Sequence, residues 1–118
     1  MGNIIMYQLG TYVKADLLFN IARKPTTHPN IIWKPSLAPS QQLFSWYWRN
    51  KSLPNWWGTY CQMWEAEKKN DSDYLDGIYY LTGLVRTGRI VAIGCYCKDE
   101  TKCHRSLVLA DIINRLKI

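Results

Sequence analysis

Long apolar runs are missing from this chain, and so are long runs of positive charge. The apolar segments are about strand length, short of the roughly 20 residues a membrane-spanning helix needs, so no membrane partner is expected. No basic run exceeds two residues, which argues against a disordered nucleic-acid-binding tail. Internal repeats and low-complexity segments are absent, which removes solenoid arrays and flexible linkers from consideration. No Cys-x-x-Cys pair occurs, so the usual spacing of a zinc site is missing. The first ten residues, MGNIIMYQLG, contain neither a basic leader nor a cleavage pattern, and Met6 stands where a myristoylation signal would want Ser or Thr. The expectation is a cytoplasmic location, with thiols reduced rather than bridged.

The chain has 118 residues, which predicts a single domain over 1–118 with a core of its own. Six Trp and eight Tyr are many for this length and predict large apolar faces with polar edges. Fifteen basic residues against nine acidic give a net charge of +6, which favours anionic partners: a nucleotide, a nucleic acid or an acidic protein surface. Of the four cysteines, Cys95 and Cys97 are two apart and would share one face of a strand, a spacing that rarely makes a relaxed disulfide.

Strands are predicted over Asn3–Leu9, Leu17–Ala22 and Arg89–Tyr96, the last so continuously apolar that it suits a central parallel strand. Between Lys24 and Ser40 lie four prolines, and that segment reads as a long irregular loop. Ser40 should cap a helix running to about Asn50. Pro54 should open a second at its first position, ending near Lys69. A third helix should run from Ser72 to Arg86 with Gly88 as its C′ residue, and a fourth from Thr101 or Cys103 to Leu116. Strands separated by helices predict a small three-layer α/β/α domain with a mostly parallel sheet and helices on both faces. Ligands of such folds bind beyond the C-terminal strand ends, where Arg23 and the Cys95–Arg105 segment would meet.

The run Cys95-Tyr-Cys-Lys-Asp-Glu-Thr-Lys-Cys-His-Arg-Ser106, between an apolar strand and an apolar helix, resembles the closing motif of the domain-of-unknown-function family 488, which includes the YeaO-like proteins. Leu37-Ala38-Pro39-Ser40 with Leu43 and Trp33, the aromatics Trp57, Tyr60 and Trp64, and Ile21-Ala22-Arg23-Lys24-Pro25 resemble further segments of it. The likeness spans about Met6 to Leu116. The arginine segment of the family usually carries an acidic residue just before the arginine, where this chain has Asn20 and Ala22. The resemblance implies a fold and a site and supplies no substrate.

Cys103, His104 and Arg105 at a helix start form the candidate catalytic set. A helix N-terminus favours an anion, Arg105 offers a planar fork, the Cys103 thiol should ionise more readily than usual, and His104 can move protons near neutral pH. Arg23, Lys24, Cys97, Lys98 and Ser106 are the candidate ligand-binding residues. No cofactor is expected. Metal binding by Cys95, Cys97, Cys103 and His104 is a further reading that the missing paired spacing weighs against, and the interval from Cys97 to Arg105 does not fit the Cys-x5-Arg loop of phosphatases. Cys61 and Cys95 read as packing, and His28 as solvent-facing. Two functions remain open at this point. One is a phosphorylated or nucleic-acid ligand bound at the strand-end site, with thiol chemistry there. The other is a non-catalytic protein that docks a protein partner through exposed tryptophan and positive charge; at least one of Trp46, Trp48 and Trp56 should be exposed.

Overall fold

A computed structural model describes residues 1–118 as four strands and four helices. The strands are β1 (Asn3–Gln8), β2 (Leu17–Asn20), β3 (Ile31–Trp33) and β4 (Ile90–Cys95). They pair in the order β1-β4-β2-β3, and every pairing is parallel. The helices are α1 (Gln41–Asn50), α2 (Trp56–Lys68), α3 (Ser72–Arg86) and α4 (His104–Leu116), with single 3-10 turns at Pro35–Leu37 and Glu100–Lys102. The α/β class and the parallel sheet are as the sequence indicates.

Local chemistry accounts for the element ends. The Ser40 hydroxyl accepts from the Leu43 N–H and caps α1. Asp71 does the same for α3 through the Asp73 and Tyr74 N–H groups. Gly88 follows α3 at φ +96°, a conformation that costs glycine nothing. Pro54 does not occupy the first position of α2; that helix begins at Trp56, behind Asn55. The proline-rich stretch is not wholly irregular, because Ile31–Trp33 joins the sheet edge as β3 beside β2.

Central β4 has Val91 to Cys95 buried. Its period-two alternation separates two cores. Ile4, Phe19, Val91 and Ile93 face one way and pack with the buried residues of all four helices. Tyr7, Ala92 and Leu18 face the other way, covered by Leu9, Val13 and Ala15 of the β1–β2 connection. Helices were expected on both faces; here they share one, since an eight-residue connection from Leu9 to Asp16 is too short to hold a covering helix of its own.

On the second face the Tyr7 ring lies directly over Gly94. A Cβ at position 94 would come within 2.6 Å of two ring carbons. Tyr7 cannot easily retreat, being buried with its hydroxyl donating to the Phe19 carbonyl at 3.4 Å. Gly94→Ala should therefore lower stability by about 1–3 kcal/mol, as overpacking does, measured by urea denaturation.

Candidate active site

All strands being parallel, the C-terminal ends of β1, β2 and β4 lie at one rim, and α4 starts there. The chain leaves β4 at Cys95, turns through Tyr96–Asp99, makes the short turn at Glu100–Lys102 and enters α4 with extended Cys103 at the N-cap. The Ser106 N–H and hydroxyl both donate to the Cys103 carbonyl, at 3.0 and 2.8 Å, which closes the first turn.

Two consecutive side chains then reach back to different strand ends. The His104 Nε2–H donates to the Ile21 carbonyl after β2 at 2.7 Å, which leaves Nδ1 facing the Cys103 sulfur at 3.8 Å. The Arg105 guanidinium donates to the Tyr7 carbonyl of β1 at 2.5 Å and to the Cys97 carbonyl at 2.7 Å, and its Nε–H donates to the Cys103 sulfur at 3.3 Å. Arg105 is only 1% exposed and no carboxylate pairs with it. A buried cation needs a counter-charge. The one group bonded to it that can ionise is the Cys103 thiol.

Three sulfurs converge here. The Cys95 thiol donates toward Cys97 at 3.9 Å, and the Cys95, Cys103 and His104 donor atoms all lie within 4.8 Å of one another. The neighbouring Cys95 and Cys97 thiols, in that order, hold the Cys103 thiol well below the ordinary thiol range against the opposing effect of burial, and His104 adds to them. The α4 N-terminus and the Arg105 N–H act in the same direction. Cys97 is pushed up to about 11, first by the neighbouring Cys103, while Cys95 rises well above the ordinary thiol range, first through Cys103 and Cys97 and then through burial. One sulfur is thus the anion, and the other two stay protonated beside it. The fixed positive charge of Arg105 at the Cys103 sulfur opposes a metal cation in the same place.

Cys103, 3% exposed, forms part of the wall of a cavity of about 60 Å³. Its other walls include Tyr47, Trp56 and Tyr60, with Arg23 and Lys102 as the cationic members. Burial raises the Tyr47 and Tyr60 phenols, and the negative charge of the cysteine cluster raises them further, so both stay neutral. The cavity shape depends on a clamp outside it. Glu67 of α2 accepts from the Ser40 N–H at 2.9 Å, and buried Lys68 donates to the Ala38 carbonyl at 2.7 Å, which fixes the segment before α1. Arg23 then donates to the Pro39 carbonyl at 3.0 Å.

The expected site residues separate accordingly. Cys103, His104, Cys97 and Arg23 share the cavity wall. Arg105 lies behind it, with its donors turned to the protein. Lys24 and Lys98 are exposed and outside it, and Ser106 serves the helix start. The acid missing near Arg23 has a local explanation. Buried Asn20 both accepts from the Ala22 N–H at 2.8 Å and donates to the Lys24 carbonyl at 2.9 Å, and a carboxylate has no proton for the second bond. Tyr60 and Trp56 were named from the sequence but not placed in the site, and Tyr47 and Lys102 were not assigned to it. Their only signal there is the density of aromatics, which reads equally well as core. Cys61 is half-buried on α2, and His28 is exposed.

Residues 18–116 match DUF488-N3a, the active DUF488-N3 subclade. The chain belongs to this family. No curated protein and no solved structure matches it. The DUF488 assignment agrees with the motif at Cys95–Ser106, and the match also takes in the Arg23 segment and both aromatic helices.

Removing the Arg105 charge should unbalance this DUF488 site from within. Arg105→Met leaves two buried carbonyls without donors and a thiolate without its cation. It should cost about 3–5 kcal/mol, as loss of one partner from a buried ion pair does. Arg23→Ala removes one hydrogen bond at a half-buried position and should cost about 1 kcal/mol. Urea denaturation of the two variants beside the parent protein gives the comparison.

Proposed function

We propose that the protein is an enzyme whose Cys103 thiolate attacks a small electrophilic group carried by an anionic ligand. The observation that carries this reading is the Cys103 sulfur itself: it forms part of a cavity wall, and it is the only ionisable partner of a buried arginine. Thiolates, not thiols, are the nucleophiles of cysteine chemistry. His104 is placed to exchange a proton with that sulfur through Nδ1. The family's description as an active subclade supports catalysis rather than an inert scaffold.

Ligand charge follows from Arg23 and Lys102, the cations on the cavity wall. A cavity of about 60 Å³ takes one small group, not a nucleotide. Next to it runs a broad polar trough of about 870 Å³ that shares Arg23 and Pro39 with the cavity. The trough lining carries four carboxylates, Glu67, Asp71, Asp73 and Asp76, against Arg23, Lys34 and Lys68, so the anionic group of a phosphorylated ligand belongs at Arg23 and Lys102 and an uncharged remainder in the trough.

The docking-protein reading has less support. Trp48 is 55% exposed, but the Lys51 ammonium sits 3.8 Å from its ring centre. Exposed Tyr79 and Tyr80 are likewise covered by Arg115 and Lys34. Aromatics and cations that pair within the chain are less available to a partner.

Alkylation tests both halves of the proposal. Iodoacetamide should label Cys103 at about pH 6, well below the ordinary thiol value near 8.5, with Cys61 and Cys95 lagging in the peptide map. Labelling of Cys103 that waits for the ordinary thiol range would count decisively against the nucleophile. Anionic iodoacetate should gain on neutral iodoacetamide in the parent protein and lose that advantage in Arg23→Ala and Lys102→Ala. An unchanged ratio of the two rates would remove the anionic ligand.

A further inference from the structure

A nucleophile needs one sulfur, yet three converge on this cavity. Cys95 and Cys97 line the same wall as Cys103, with the Cys95 and Cys97 sulfurs 3.9 Å apart and the Cys95 sulfur within 4.8 Å of Cys103. The two neighbours differ in exposure. Cys95 is buried as the last residue of β4, whereas Cys97 is half-buried in the irregular stretch that follows, where an external dithiol can reach its sulfur. A second, accessible thiol beside a thiolate is the arrangement that lets a first oxidised sulfur be captured by a second.

We infer that the cavity reduces small hydroperoxides, with Cys103 as the sulfur that is oxidised and Cys97 as the sulfur that resolves it. This rests on the reading of Cys103 as a thiolate. In the first step the Cys103 sulfur attacks the terminal oxygen of ROOH. An S–O bond forms, the O–O bond breaks, and the departing alkoxide takes a proton from water to leave as ROH. The Cys103 sulfur is then a sulfenic acid, oxidised by two electrons. In the second step the Cys97 sulfur attacks it, the S–S bond forms, and the hydroxyl leaves with the thiol proton as water. The sum is one hydroperoxide and two cysteines, with one proton to neutralise the thiolate, going to one disulfide, one alcohol and one water. A small external dithiol restores both sulfurs by exchange at half-buried Cys97.

Three features of the cavity suit this chemistry. Its volume of about 60 Å³ admits a small hydroperoxide. The aromatic wall of Tyr47, Trp56 and Tyr60 accepts a short alkyl group. The Arg105 Nε–H beside the sulfur stabilises negative charge on it without closing the open side, because the rest of the guanidinium is turned to Tyr7 and Cys97 carbonyls.

The test treats the reduced full-length protein with one equivalent of tert-butyl hydroperoxide and then counts and maps its thiols. Free thiols should fall from four to two, with a Cys97–Cys103 cross-linked peptide in the digest. Cys97→Ser should instead accumulate a sulfenic acid on Cys103 that dimedone traps, and should stop dithiothreitol-driven peroxide consumption after one turnover. Four intact thiols, or a bridge from Cys103 to Cys95, would overturn the inference. The wild-type measurement needs no variant to fold. Cys103 that alkylates at acidic pH yet resists the hydroperoxide would sink the peroxide chemistry and leave the nucleophile standing. Cys103 inert to both reagents would sink the two together.

Discussion

A guanidinium buried without a carboxylate organises the rim of this domain. Arg105 ties the end of β1, the turn after β4 and the cap of α4 to one another through bonds to Tyr7, Cys97 and Cys103. Two of those acceptors are neutral carbonyls. They satisfy its donors and leave its charge uncompensated, and a charge in that position is costly unless an anion stands next to it. The sulfur of Cys103 is the available anion. The same contact therefore locks α4 onto the sheet and ionises a thiol on the wall of a cavity, so stability and reactivity have one source.

His104 and Arg105 divide the remaining work by direction. Consecutive helical residues point different ways, and here one reaches the β2 end while the other reaches the β1 end. Both bonds go to carbonyls near the C-terminal ends of strands, so the helix start is fastened to the sheet rim at two points. Arg23 and Lys102 stand apart from this frame. Their charge is on the ligand side, where it can attract without being consumed by the fold.

Much of this was legible in the sequence. Ser40, Ser72 and Gly88 mark helix ends through chemistry that acts within a few residues. The apolar run at Ile90–Cys95 announces a central strand. The residues gathered at Cys97–Arg105 were visible as a group, and their meeting with Arg23 follows from parallel strands ending at one rim. What was hidden depends on distant neighbours. The edge strand Ile31–Trp33 is three residues long among prolines, and only its pairing with β2 makes it a strand. The single helical face follows from how the β1–β2 connection drapes, which no local pattern states. Arg105 looked like a ligand clamp because arginine at a helix start usually meets solvent; its burial is set by Tyr7, 98 residues away. The aromatic wall was masked because core and cavity aromatics share one spacing.

The central claim is that Cys103 carries the negative charge that balances Arg105. Thiolate absorbs in the ultraviolet where thiol does not, so the difference spectrum between the wild-type protein and Cys103→Ser, followed against pH, reads that charge directly. The account predicts one thiolate equivalent already present at about pH 6, far below the ordinary thiol value near 8.5, and absent from the variant. A difference that emerges only as the pH passes through the ordinary thiol range would contradict it.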